Sequence, residues 1–173
     1  GGQYKWGTTD VTRTVCCGKI SKEIKNNFTR VLKGHIKVVT CNLKENNNGN
    51  KIDKLARKSL KEVGLNYSHG TGHGVGFFLN VHEGPQSISK NNQVLLKKGM
   101  ILSNEPGYYL KDKYGIRIEN LIYIDQIKNN LVFNNLTYVP IDINLVNFKL
   151  LTYKEREYLF DYHLNVYSKI SKH

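Results

Sequence analysis

His69-Gly70-Thr71-Gly72-His73-Gly74, followed nine residues after His73 by His82 within Asn80-Val81-His82-Glu83-Gly84-Pro85, is the stretch from which the rest of the chain is best read. Three of the six histidines lie here, and the intervening glycines strip the backbone of side-chain bulk, so imidazoles can approach a partner closely. An imidazole is a metal ligand or a proton carrier near neutral pH, and a cluster of them asks for carboxylates from elsewhere in the chain.

Upstream of this segment, residues 7–14 (Gly-Thr-Thr-Asp-Val-Thr-Arg-Thr) are β-branched and predict a strand entered from a glycine turn. Ser21 offers an N-cap, and Ile24, Phe28, Val31, Leu32, Ile36 and Val39 recur at helical spacing, predicting an amphipathic helix that ends near Cys41. A second helix is expected from Lys51 to Val63, stopped by Gly64. Downstream the texture turns to strands, at Met100–Asn104 and in a long run over Ile116–Ile124 whose alternation puts Arg117 and Glu119 on one face. One or two more strands are expected over 131–146, broken at Pro140. A capping box at Thr152-Tyr153-Lys154-Glu155 then opens a last helix with Leu159, Val166 and Ile170 facing inward. His35 and His163 fall on helix positions that read as exposed, and Tyr108 and Tyr109 read as packing.

Composition narrows the class. The 173 residues can bury one core, and no apolar run approaches the roughly 18 to 20 residues of a membrane span. The start, Gly1-Gly2-Gln3-Tyr4, is neither an initiator Met nor a signal peptide, and predicts a chain cut from something longer. Three cysteines, two of them adjacent, suggest no disulfide framework and a reducing, cytoplasmic setting, and no Cys-x-x-Cys pair supports a zinc knuckle. The net charge of +12 raises nucleic-acid binding, but the lysines are scattered and form no stripe interleaved with aromatics, so a solvated surface is the expectation.

Four residues stand where a solvated surface charge is hard to justify: Asp10, His73, Glu105 in Asn104-Glu105-Pro106, and Glu119 in Ile118-Glu119-Asn120. Buried carboxylates are costly without a counter-charge, and oxygen donors joined by one imidazole suit harder divalent ions such as manganese or cobalt.

GTTDVTRT (7–14), HGTGHGVG (69–76), LNVHEGP (79–85), EPGYY (105–109) and GIRIEN (115–120), in that order and spacing, resemble the catalytic domain of the Xaa-Pro aminopeptidases, the eukaryotic cytosolic type in particular. The resemblance runs from Gly1 to about Leu164. It implies an α+β pita-bread fold, a strongly curved antiparallel sheet with flanking helices, here as a single C-terminal catalytic domain over 1–173 truncated at its N-terminal side. It implies a metal-dependent hydrolase in which a hydroxide bridging two divalent ions attacks the N-terminal Xaa-Pro bond. Mn2+ is the expected metal, with Co2+ or Zn2+ as alternatives. Asp10 and Glu119 are then the bridging ligands, His73 and Glu105 bind one ion, His82 passes a proton to the departing proline, and His69 orients the substrate. Arg117 is a plausible partner of a metal-bound carboxylate.

The family pattern also has an Asp-x-Gly before the position of Gly1 whose Asp serves the second ion, so the second ion is expected to be held more weakly by this sequence. Trp6 and Asn104 depart from the pattern, and Trp6 is expected to narrow the mouth of the site. The implied partners are peptides with proline in second position and a second copy of the chain in a homodimer, with no role for nucleic acid or membrane. A prolidase-like dipeptidase and a non-catalytic peptide- or protein-binding pita-bread module are the alternatives.

Overall fold

The amphipathic run after Ser21 forms α1 (Lys22–Val39), with the Ser21 side chain accepting from the Ile24 amide, in a computed structural model that describes residues 1–171. α2 (Gly49–Lys61) starts two residues earlier than the sequence suggested, because Asn48 caps it by accepting from the Lys51 amide. It ends before Gly64, whose φ of +73° is the left-handed turn expected of a helix stop. α3 (Tyr153–Ile170) opens on the expected capping box, Thr152 and Glu155 each satisfying the other's backbone amide. Leu159 and Val166 are buried as expected, but Ile170 is half exposed, since the last turn of α3 runs beyond the surface it packs on.

All strand pairing is antiparallel. The strand expected over 7–14 is shorter: β1 (Gly2–Tyr4) and β2 (Gly7–Thr9) form a hairpin with Trp6 exposed on its turn. From Asp10 the chain runs back onto the strands, where Thr12 bridges to Glu119 and the Thr14 hydroxyl donates to the Arg117 carbonyl and accepts from its amide. The histidine segment contributes β3 (Gly72–His73), paired with β4 (Ser87–Ile88). Gly74 also bridges to Leu102 in β5 (Ile101–Asn104), so the histidine segment lies between two strands.

The run over 116–124 is two strands, not one. β7 (Tyr114–Arg117) pairs with β6 (Gly107–Leu110), whereas β8 (Asn120–Ile127) pairs with β5 and with β9 (Asn130–Asn135). Between them the Ile118 amide donates to Pro106 O and the Glu119 amide to Thr12 O at 3.0 Å. The chain thus passes from the two-stranded sheet β6-β7 to the three-stranded sheet β5-β8-β9 within two residues, and a local alternation of apolar residues carries no record of such a switch. Beyond β9 there is no second strand before Pro140. Short 3-10 turns at Ile143–Leu145 and Phe148–Leu150 follow instead, each opened by an Asp or Asn side chain accepting from a backbone amide.

α1 separates two apolar clusters. Phe28, Val31, Leu32 and Ile36 pack with Ile116, Ile118, Leu159 and Val166, while Val38 and Val39 pack with Ile52, Ala56, Leu102, Ile122 and Phe133. The helices therefore lie against one side of the strands. Four strand ends and loops, carrying Asp10, His73, Glu105 and Glu119, converge on the site described next. None of the described helices is long and apolar enough to cross a membrane.

Candidate metal centre

Asp10, His73 and Glu119 each place one donor atom within 4.8 Å of the others, although 63 and 46 residues separate them along the chain. His73 Nε2 lies 3.6 Å from Asp10 Oδ2 and 3.2 Å from Glu105 Oε1, so Glu105 stands beside the same cluster. Arg117 Nη1 approaches the other Glu105 oxygen at 3.7 Å. The four residues singled out from sequence are thus brought together, and Arg117 reaches them through Glu105.

Local backbone chemistry fixes each donor. Gly72 is required: a Cβ there would sit 1.9 Å from the Ser103 carbonyl oxygen, so only glycine lets β3 lie this close to β5. The Ser103 hydroxyl accepts from the His73 amide at 2.9 Å and donates to Glu105 Oε1 at 3.0 Å, tying the histidine to the glutamate. The Glu105 amide donates to Thr71 O at 2.8 Å. Thr12 holds Glu119 twice, its hydroxyl donating to Oε2 and its carbonyl accepting from the Glu119 amide. Arg13 next to it donates to Glu119 O at 2.7 Å, Asn120 Oδ1 at 2.7 Å, Val139 O, Pro140 O and Tyr162 Oη at 2.8 Å, anchoring the Asp10 segment to the distant C-terminal part of the chain.

The His73 ring donates from Nδ1 to Gly74 O at 2.9 Å, which leaves Nε2 with its lone pair aimed into the cluster. That nitrogen is buried and in this tautomer has no hydrogen-bond partner, since Glu105 Oε1, 3.2 Å away, is itself an acceptor. Burial works against a charged His73 ring, but the adjacent Glu105, the Gly74 carbonyl and Asp10 together raise its pKa. For Glu105, burial is outweighed by the contacts with His73 and Ser103 and by the Arg117 charge, and its pKa is lowered. Glu119 is raised, first by burial and then by the charges of Glu105 and Asp10, against the Thr12 hydrogen bond. An orphaned imidazole nitrogen among three carboxylates, one of them short of positive charge, is a donor set that fits divalent cations with oxygen preference.

The other two histidines flank this centre differently. The His82 ring meets the His73 ring edge-on with centroids 4.1 Å apart, and His82 is open to solvent. His69 donates from Nδ1 to Gly70 O at 2.6 Å, so its Nε2 accepts from the Tyr109 hydroxyl at 2.9 Å. That hydroxyl in turn accepts from Arg117 Nε at 2.7 Å. Burial and the Arg117 and Arg57 charges lower the His69 pKa, against the Gly70 contact and the Glu105 charge, which favours the neutral ring that this chain of bonds requires. Tyr109 is therefore more than packing, and sequence reading missed it together with Thr12, Ser103 and Arg13. Thr12 and Arg13 lie in the GTTDVTRT stretch, but nothing in the sequence marks them apart from its other polar residues.

Known proteins resemble this chain along its length. The model for metallopeptidase family M24 matches residues 1–126, and that for the C-terminal region of peptidase M24 matches 129–173. A probable Xaa-Pro aminopeptidase P of Laccaria bicolor is 48% identical over 99% of this chain and 28% of its own length. Aminopeptidase P2 of Arabidopsis thaliana is 47% identical over 99% of this chain and 26% of its own. The chain thus spans little more than a quarter of these curated relatives. Among solved structures it matches an X-prolyl aminopeptidase of Caenorhabditis elegans, described as a cytosolic enzyme with a di-nuclear active site, with TM-score 0.88, 40% identity, and 96% of this chain against 28% of that one. A prolidase of Pyrococcus furiosus matches with TM-score 0.66 and 30% identity over 78% of this chain and 38% of its own. The antiparallel strands with helices on one side are the pita-bread fold of these neighbours.

Proposed function

Since the chain belongs to metallopeptidase family M24, we propose that residues 1–173 are part of the C-terminal catalytic domain of a dinuclear-metal aminopeptidase that hydrolyses the first bond of peptides with proline in second position. The observation that carries the reading is the orphaned Nε2 of His73, buried between Asp10, Glu105 and Glu119. In this reading Asp10 and Glu119 would serve both ions, and His73 and Glu105 would help to hold one of them. Mn2+ suits this oxygen-rich set, with Co2+ and Zn2+ as alternatives that availability selects. When bound, the ions would polarise the scissile carbonyl and make water nucleophilic near neutral pH.

The chain's own side chains supply the rest. Ser103 and Thr12 hold Glu105 and Glu119 in place, so the carboxylates need not reorganise when a ligand enters. His82, solvent-open and edge-on to His73, would carry a proton to the proline nitrogen, which becomes a secondary amine on cleavage. His69, kept neutral and oriented by Tyr109, is placed to position the peptide. The relatives support a cytosolic enzyme, and a homodimer is part of the same reading.

The test uses the full-length protein, stripped of metal and reloaded with Mn2+, with an Xaa-Pro-Yaa tripeptide and an Xaa-Pro dipeptide. Release of Xaa from the tripeptide is expected. Cleavage confined to the dipeptide would make it a prolidase, and a protein that binds Mn2+ yet cuts neither would be a binding module.

A further inference from the structure

A buried polar cluster behind the histidine segment takes no part in the chemistry above, yet it determines where that segment lies. Arg57 on α2 is only 8% exposed. Its Nε donates to Asp53 Oδ2 at 2.8 Å, one helical turn back. Nη1 donates to Asn66 Oδ1 at 2.9 Å and Tyr67 O at 2.7 Å, and Nη2 donates to His69 O at 2.6 Å. The guanidinium plane also lies 3.9 Å from the centre of the Tyr67 ring.

The second Asp53 oxygen accepts from the Thr71 hydroxyl at 2.6 Å. A carboxylate paired with arginine has no proton to give, so Thr71 must be the donor there, and the Tyr67 hydroxyl then donates to Thr71. Thr71 closes the connection, since its carbonyl holds the Glu105 amide at 2.8 Å.

Two routes therefore run from one helical turn into the centre, Arg57 to the His69 carbonyl and Asp53 through Thr71 to Glu105. Three of the four oxygens bound by Arg57 belong to residues 66–69 and not to its own helix, which an ion pair serving α2 alone would not need. We propose that Arg57 and Asp53 are positioning residues that fix His69 and Glu105 relative to one another, so that the metal donors and the substrate-side histidine keep one geometry. Only a planar fork can serve these acceptors at once, because lysine is a single point of charge on a flexible stem.

The kinetic side of this inference rests on the aminopeptidase reading, whereas the metal-binding side does not. The full-length protein is compared with its Arg57→Lys and Thr71→Val variants and with Leu159→Ala, a core change on α3 that touches neither the Arg57 cluster nor a metal donor directly. The readouts are the Mn2+ dissociation constant of the stripped protein and kcat on an Xaa-Pro-Yaa peptide. Arg57→Lys is expected to weaken Mn2+ binding and to lower kcat, each by about 10- to 100-fold. Leu159→Ala is expected to lower the melting temperature and move neither.

If Arg57→Lys melts earlier but keeps its Mn2+ affinity and kcat within about twofold of the parent protein, the cluster is a stabiliser only and the proposal is overturned. Should Arg57→Lys fail to fold, Thr71→Val, which cuts only the hydroxyl link, decides by the same two readouts. A loss of Mn2+ affinity in Arg57→Lys supports positioning even if the parent protein cuts no Xaa-Pro peptide, so failure of the activity reading is told apart from failure of this one.

Discussion

His35 offers a quantitative test of the packing. It sits on α1 with no exposure, and burial, aided by the Arg13 charge and opposed by backbone contacts with Ile118 and Asn104, pushes its pKa down to about 3 from an ordinary 6.5. In the unfolded chain the imidazole takes up a proton as the pH falls through its ordinary value, while the folded chain refuses it. The depressed folded pKa means that the His35 contribution to stability is complete above about pH 6.5. It is then lost at about 1.4 kcal/mol per pH unit until the folded pKa is reached. Between pH 7.5 and pH 5 the loss amounts to about 2 kcal/mol.

His35→Met, which keeps apolar volume and removes the titrating group, should shed that slope. Amide hydrogen exchange in α1 of the full-length protein, followed at both pH values, reads the local opening free energy directly. The variant should gain about 2 kcal/mol on the parent protein as the pH is lowered over this interval. Parallel profiles would mean that the ring is solvated or protonated in the folded state, and the burial argument would be wrong.

Three further outcomes follow from the geometry. Glu119→Gln should abolish detectable peptide hydrolysis and Mn2+ binding, yet the metal-free protein should melt no earlier, because the charge it loses is one that burial and its acidic neighbours disfavour; calorimetry with a chelator checks this. Gly72→Ala forces a methyl group against the Ser103 carbonyl and should cost about 3 kcal/mol or more, seen as lost soluble yield and lost metal uptake. Thr152→Ala removes one half of the capping box and should cost about 1 kcal/mol in urea titration of α3 unfolding, leaving Mn2+ affinity unchanged.

The sequence spoke clearly wherever local chemistry decides structure. Ser21, Thr152 and Gly64 marked helix ends because caps and left-handed turns depend on a few adjacent atoms. Asp10, His73, Glu105 and Glu119 were legible because buried carboxylates and an imidazole among glycines have few other uses. What failed was whatever depends on distant partners. The run over 116–124 reads as one strand because alternation records which face is apolar and not which strand lies alongside.

Nothing in the sequence singles out Asp53 and Arg57, because their partners lie in the segment 66–71 that only the fold closes over them. His35, which reads as exposed by residue type, is buried because its spacing from Phe28, Val31 and Leu32 puts it on the inner face of α1. Tyr109 looked like packing because aromatic rings usually are, and its hydroxyl contacts with His69 and Arg117 come from other segments.

The anchoring of Arg13 bears on the order in which this protein acquires its parts. Its bond to Tyr162 spans 149 residues, and the link from Thr12 to Glu119 spans 107. Closing loops of that size is entropically late, whereas α1 and α2 and the hairpins β6–β7 and β8–β9 need only near neighbours. Asp10 therefore joins the other donors in one of the last steps of folding. A divalent ion arriving earlier would meet at most the residues of the 69–119 segment, so tight uptake reports a finished fold and does not template one.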